Sequence, residues 1–367
     1  MRILEIIISA LIFIVLVLRF VPAPKSRMVS LYLPLIAGGF LPVHLMVEGS
    51  RWQMVPVYLF ILGFFVFSIF RLIRGPGKEF LFHNRTFRII SNIFLLVIFV
   101  VSLSFPVLLP VVHLPAPSGP YPVGTIRFRM IDPEREEIFT GDPDDVRNLQ
   151  VTAWFPGEKA GEGRVGRYWD REGITGKEYS INADIGIFWY THLSRVKTNS
   201  YEGVPVSSKK ASFPVILYSH SFCGLNTENT MLFEELASNG YIVFSISHSF
   251  ETVVSVYPYG TAMTGDLSHI SGLYDSHAER EKELYVQFEN AITTERKKAL
   301  TQQILRVDGL AGKLLEIRMK DAIFVLNGLE KLNNRDRLFR SKLDLDRTGI
   351  MGWSFGGASA MEGCMAD

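Results

Sequence analysis

Cysteine is scarce. Two in 367 residues are too few for a disulfide-stapled scaffold or for a zinc or iron–sulfur site built on thiolates. Net charge is nearly absent as well, with 38 Lys and Arg against 37 Asp and Glu. That balance excludes a generally basic nucleic-acid binder and an acidic solvating chain. The chain has no P-loop, dinucleotide fingerprint or metal motif, so neither cofactor nor metal is expected. Disorder is excluded too, because charged residues make up only 20% and there are 27 Phe.

What is present is unevenly spread. Residues 1–112 carry ten Lys and Arg but only three acids (Glu5, Glu48, Glu79), whereas 113–367 carry 28 basic and 34 acidic residues. The first part holds four apolar runs, at 3–21, 28–47, 54–73 and 89–112. Each approaches the ~20 residues that cross a hydrocarbon core of about 30 Å. No ionisable residue lies near a run's centre, where it would cost at least ~2.5 kcal/mol; Glu5 and Arg19 sit at the ends of the first. Backbone groups in lipid must bond within their own segment, so the runs are expected to be transmembrane helices. A signal peptide is the poorer reading of the first, since its n-region is only Met1-Arg2.

The basic residues of the first connection (Arg19, Lys25, Arg27) and the third (Arg71, Arg74, Lys78, Arg85, Arg88) place those loops in the cytoplasm. The amino terminus and residues 113–367 then lie outside. His44, near the end of the second run, reads as a capped or interfacial residue, and the helices read as an anchor in the bilayer.

Pro115, Pro117, Pro120 and Pro122 make 113–124 a stiff linker, and 125–367 is expected to form one α/β domain. Thr125–Ile131 and Leu149–Phe155 read as strands, and the Gly- and charge-rich stretch between Gly157 and Gly186 as loops. Phe213–Gly224 is a short apolar run ending in a turn of small residues. An amphipathic helix at Glu228–Asn239 and a second apolar run at Tyr241–Ser247 follow. Strand, loop, helix and strand without a hairpin is the pattern of a βαβ unit in a mainly parallel sheet with helices on both faces. Residues 274–336 read as helical, with Leu314, Ile317, Ala322, Val325 and Leu329 as the apolar stripe. Arg318 and Asp321 read as a solvated pair outside it.

Leu343–Met351 reads as a buried strand, and Gly352-Trp353-Ser354-Phe355-Gly356-Gly357 follows it. This is G-x-S-x-G. A serine hydroxyl is a weak nucleophile unless a sharp strand-to-helix turn projects it to where a base can reach. The neighbours of such a turn must be small, as Gly352 and Gly356 are. The amide of Phe355, at the start of the next helix, would receive the oxyanion. A second donor is expected from the loop Ser219-His-Ser-Phe-Cys-Gly224, at the amide of Phe222.

These stretches, with Leu236-Ala-Ser-Asn-Gly-Tyr-Ile-Val243 and His248 after the next strand, resemble the platelet-activating-factor acetylhydrolase family of the α/β-hydrolase superfamily. The similarity runs from about Tyr121 to Asp367. It implies a Ca²⁺-independent serine esterase that removes short or oxidised acyl chains from phospholipid-like esters. Ser354 matches the family nucleophile, and Phe222 and Phe355 match its two oxyanion amides. The chain departs from the family at Trp353, where relatives carry His, and at Ser221, where they carry Gly; the first should alter packing beside the elbow and the second stiffen the oxyanion loop.

In α/β-hydrolases the acid and then the histidine follow the serine. Only 13 residues follow Ser354 and none is histidine, so both partners are expected beyond residue 367, with a noncatalytic hydrolase-like membrane protein as the alternative. His220, His248, His269 and His277 are the upstream histidines, and a hydrogen-bonded loop role suits them better than that of a base. Cys223 and Cys364 read as buried free thiols, with a bridge between them as the alternative.

Overall fold

The computed structural model describes residues 1–21, 23–74, 85–158, 163–265, 280, 282–307 and 309–366. His269, His277 and Asp367 lie outside the described residues. The chain forms two compact units, Met1–Val112 and His113–Asp367.

The first unit contains four helices: α1 (Ile3–Leu18), α2 (Pro24–Val47), α3 (Val55–Arg74) and α4 (Arg85–Leu108). Three helical spans, Pro24–Val47, Trp52–Arg74 and Thr86–Leu108, are long and apolar enough to cross a membrane. With 16 residues, α1 is shorter, about 24 Å at 1.5 Å per residue. Ile8, Ile12 and Leu16 of α1 meet Ala37, Val57, Ile61 and Phe99 in a narrow core, while apolar residues such as Leu59, Phe94 and Val97 face outward. A lipid-facing bundle needs this arrangement.

Polar residues gather at the end of the bundle where α1 starts and α2 stops. Glu5 is fully buried and held by Arg51 through Nε–Oε1 at 2.7 Å and Nη2–Oε2 at 2.8 Å. Arg51 also donates to the carbonyls of Pro106 and Leu109. His44 is no isolated interfacial residue: its ring bridges Glu48 at 3.0 Å and the Tyr58 hydroxyl at 2.6 Å. Donor atoms of Glu5, His44 and Glu48 converge within 4.8 Å. Arg2 and Arg51 already neutralise the carboxylates, so the cluster is an ion-paired network rather than a cation site.

The second unit is built on a seven-stranded sheet. In chain order its elements are β1 (Val123–Glu136), β2 (Val146–Pro156), β3 (Arg164–Arg167), α5 (Ile174–Asn182), β4 (Lys197–Glu202), β5 (Phe213–Ser219), α6 (Thr230–Ser238), β6 (Ile242–Ser247), the two-stranded pair β7 (Val254–Val256) and β8 (Ala262–Thr264), α7 (Thr294–Val307), α8 (Gly309–Arg335), β9 (Leu343–Gly352) and α9 (Phe355–Ala366). The strand order is β3-β4-β1-β2-β6-β5-β9. The β6-β5-β9 half is parallel, as the βαβ pattern implies. Because β2 runs antiparallel to both β1 and β6, the whole sheet is mixed.

Period-two alternation sends each strand's side chains to opposite layers. Val151, Val215, Leu217, Phe244 and Ile246 face Ala322, Val325 and Leu329 of α8. Their neighbours Trp154, Tyr218 and Val243 face Phe233 and Ala237 of α6. Helices therefore cover both faces, in an α/β-hydrolase-like arrangement. From β5 the chain crosses one way to β6 and later returns to the other flank as β9. The carboxyl ends of β5 and β9 thus form a topological switch point, where ligands of open α/β sheets bind.

The stretch expected to be loops between Gly157 and Gly186 contains β3 and α5. The helix lacks a strong apolar period. It is nucleated instead by Asp170, whose carboxylate accepts the amides of Ile174 and Thr175, both at 2.7 Å.

Candidate active site

Strand β9 ends at Gly352 and α9 begins at Phe355, leaving two residues to reverse the chain. Ser354 takes up the turn at φ 54° and is exposed. A non-glycine residue in that left-handed region costs about 1–2 kcal/mol. The turn is held by Gly356 N–H donating to the Trp353 carbonyl at 2.9 Å, by Gly357 N–H to Ser354 at 2.8 Å and by Trp353 N–H to Ser219 at 3.3 Å. A Cβ on Gly352 would lie 2.0 Å from the Gly356 carbonyl oxygen, and one on Gly356 would lie 2.0 Å from that of Ser219. Both flanking glycines are thus required by backbone approach. Trp353 does not pack beside the elbow as its bulk suggested; it is 63% exposed and projects to solvent.

The loop after β5 lies against this turn. Glu228, ahead of α6, accepts the Ser221 amide at 2.8 Å, the Ser221 hydroxyl at 2.6 Å and the Tyr218 hydroxyl at 2.7 Å. The departure at Ser221 therefore adds a side-chain pin that glycine could not supply. Cys223 sits at φ 55°, and Gly224 N–H closes the turn onto the Ser221 carbonyl at 3.0 Å. The Phe222 ring meets the Phe355 ring edge-on, with centroids 5.9 Å apart. The fold thus brings Ser354, Phe355, Gly352, Gly356 and Phe222 together at the carboxyl ends of β5 and β9.

Beneath them is a buried ionic network that sequence reasoning missed. Arg318 and Asp321 are fully buried and do not pair with each other. Arg318 donates Nε to Glu251 at 2.8 Å and Nη1 to the His220 carbonyl at 2.6 Å. Its guanidinium also lies 4.8 Å from the centre of the Phe355 ring. One side chain therefore touches both the loop after β5 and the first residue of α9. Asp321 accepts from Arg147 at 2.7 Å and from His248 Nδ1 at 2.8 Å. Burial alone would raise the Asp321 carboxyl, but Arg147's charge and the hydrogen bonds from His248 and Arg147 outweigh it and hold it well below the usual range.

His248 links this network to β5, its Nε2 lying 2.9 Å from the Ser219 hydroxyl. Ser219, His248 and Asp321 thus have the connectivity of a catalytic triad. However, all three are buried and Ser219 lies within a regular strand, so no substrate carbonyl reaches them. Burial, reinforced by the charge of Arg318 against the Asp321 hydrogen bond, brings the His248 pKa down to about 4. Burial and Arg318 also hold His220 well below the ordinary histidine value. Its Nδ1 bonds the Ser221 carbonyl at 2.7 Å, and its Nε2 accepts the His248 amide at 3.1 Å. Neither histidine bonds to Ser354 among the described residues. Cys223 and Cys364 are both free, but neither is fully buried as expected: Cys223 is half-buried and Cys364, on α9, is exposed.

The sequence profile of platelet-activating factor acetylhydrolase, isoform II, matches residues 108–367. A guinea pig (Cavia porcellus) platelet-activating factor acetylhydrolase is 27% identical over 150 residues, covering 41% of this chain and 31% of the relative. A ferulic acid esterase from Streptomyces cinnamoneus, solved as a structure, is similar at 23% identity and a TM-score of 0.48; the match covers 70% of this chain and 58% of that one. The chain thus spans about a third of the curated relative's length and somewhat over half of the solved one's. Since the matched residues take in the whole of the sheet, the elbow and the loop beside it, the chain belongs to the family of platelet-activating factor acetylhydrolase, isoform II.

Proposed function

We propose that the second unit is the nucleophile-bearing part of a membrane-anchored serine esterase that acts on short or oxidised acyl esters of phospholipid-like substrates. The observation that carries this reading is Ser354 itself. An exposed serine stands in strained backbone between a strand and a helix, clamped by two glycines that admit no Cβ. Strain of this kind persists where the surroundings over-determine it, and it suits a nucleophile elbow.

In the proposed reaction Ser354 Oγ attacks the ester carbonyl carbon and passes its proton to a general base. The carbonyl oxygen becomes an oxyanion, received by the amides of Phe222 and Phe355. Collapse breaks the bond to the alcohol, which leaves with the base's proton, and water then releases the acid from the acyl-enzyme. The Ser, acid, His order places the base and its carboxylate after the nucleophile in the chain. A lipid-like substrate suits a site tethered to a bilayer, and family membership is the support for that class. Multi-pass anchoring, with this unit outside the cytoplasm, rests on the apolar helices and the basic loops.

Ser354→Ala in the full-length protein tests the assignment. Turnover of p-nitrophenyl acetate and labelling by a fluorophosphonate probe should both disappear, while the folded protein remains. Labelling that persists in the variant removes Ser354 from the role.

A further inference from the structure

An oxyanion hole works only if its donors are fixed before charge develops, to within about half an ångström. Phe222, whose amide is one proposed donor, lies in the turn between β5 and α6. Its N–H and the Ser221 carbonyl belong to one planar trans peptide and point in nearly opposite directions. Whatever holds that carbonyl therefore aims the amide.

The Ser221 oxygen accepts from His220 Nδ1 at 2.7 Å and from Gly224 N–H at 3.0 Å. Arg318 Nη2 reaches it at 3.5 Å, the long limit of a hydrogen bond. His220 Nε2 accepts the His248 amide at 3.1 Å, so Nδ1 carries the proton and donates. The preceding peptide is gripped at both ends. Its carbonyl, on His220, accepts Arg318 Nη1 at 2.6 Å, and its N–H, on Ser221, donates to Glu228 at 2.8 Å.

Arg318 thus spans both peptides. It is fully buried, and Glu251 holds its Nε at 2.8 Å, so the fork cannot swing out to solvent. The same guanidinium lies 4.8 Å from the centre of the Phe355 ring, on the residue that carries the second proposed amide. Donation from a cation also polarises a peptide, which strengthens the hydrogen bonds further along it.

We propose that Arg318 is a positioning residue for the oxyanion hole, locking the Ser221–Phe222 peptide and registering it against the start of α9. The inference rests on the esterase reading of Ser354. Arg318 touches no substrate; its effect falls on the transition state, where negative charge reaches the amides.

Arg318→Lys in the full-length protein is the test, because it keeps a positive charge beside Glu251 and removes the fork. With p-nitrophenyl acetate, kcat per folded molecule should fall at least tenfold, with KM within twofold of the parent. A residue that only supports the fold would lower the folded fraction instead. Val325→Ala, in the core face of the same helix, is that comparison: its unfolding temperature should drop while kcat per folded molecule keeps the parental value. Should the lysine variant fail to fold, Arg318→Gln combined with Glu251→Gln removes both charges together and should show the same loss of kcat. Amide hydrogen exchange at residues 221–224, measured in a Ser354→Ala background, reads the clamp without turnover. Arg318→Lys should speed that exchange at least tenfold and leave β1 and β2 as in the parent. Ester turnover that is absent from the parent, or that survives Ser354→Ala, would bring down the esterase reading instead. In an enzyme that Ser354→Ala silences, a parental kcat in Arg318→Lys, or unchanged exchange at 221–224, overturns the positioning role.

Discussion

At the scale of single residues, the elbow was legible because its requirement is local. Three backbone segments converge within van der Waals range, and only glycine at 352 and 356 lets them do so. Gly356→Ala should therefore cost more than a helix-favouring substitution returns. Its Cβ would press on the Ser219 and His220 carbonyl oxygens, at 2.0 and 2.6 Å, which are backbone at the end of β5 and the start of the loop after it rather than a flexible side chain. Overpacking of this kind costs about 1–3 kcal/mol, and the displaced loop carries Phe222. Chemical denaturation should register that loss, and fluorophosphonate labelling should slow by more than the loss of folded protein explains. Gly363→Ala, further along α9, is the control: its Cβ meets only Ile350 Cδ1 at 3.4 Å, so stability should stay within about 0.5 kcal/mol. Equal behaviour of the two variants would remove the steric account of the elbow. Trp353 was harder to read, because a residue's type gives its bulk and not the direction in which a tight turn aims it.

At the scale of elements, β5, α6 and β6 could be placed to within a few residues, since apolar runs and turn residues mark their limits. The buried face of α8 was misread through its phase. Leu314, Arg318, Asp321, Val325 and Leu329 follow one another at spacings of three and four, and all five are buried. Two charges lie inside the stripe, a placement that pays only when partners arrive from elsewhere in the chain, here Glu251, Arg147 and His248. Composition along one helix cannot reveal partners that lie 67 to 174 residues away.

The same network sets a pH dependence. Below the ordinary histidine pKa of about 6.5 the unfolded chain takes up a proton that folded His248 refuses until about pH 4. Stability therefore falls as pH drops through that window, by about 1.4 kcal/mol per unit, or roughly 3 kcal/mol by pH 4. Glu251 works in the opposite sense. Burial raises its carboxyl despite Arg318 and Arg147, so acid relieves part of its cost. His248→Asn isolates the histidine contribution. Denaturant unfolding at pH 7 and pH 4.5 should show a smaller acid loss in the variant than in the parent, by about 2–3 kcal/mol. Parallel pH profiles would mean that folded His248 takes up its proton as readily as the unfolded chain does, and would remove this account.

At the scale of the whole molecule, the asymmetry of charge between residues 1–112 and 113–367 carries a statement about sidedness that a cysteine can read. The hydrolase-like unit has an exposed free thiol at Cys364 and a half-buried one at Cys223. Burial pushes the Cys223 thiol up to about 11, against the pull of Arg318, so it supplies almost no thiolate at neutral pH. Cys364 is therefore the effective reporter. If the loops bearing Arg19, Lys25 and Arg27 and then Arg71 and Arg74 face the cytoplasm, crossings by α2, α3 and α4 put residue 113 and all that follows on the opposite side. A membrane-impermeant maleimide should then label the protein in intact cells, and Cys364→Ser should abolish that labelling. Should α1, at 16 residues, fail to cross, three crossings remain between the cytoplasmic side assigned to residues 19–27 and the hydrolase-like unit. That number still leaves the unit outside and moves only the amino terminus. Labelling that appears only after permeabilisation would place the unit in the cytoplasm and overturn the orientation for either helix count.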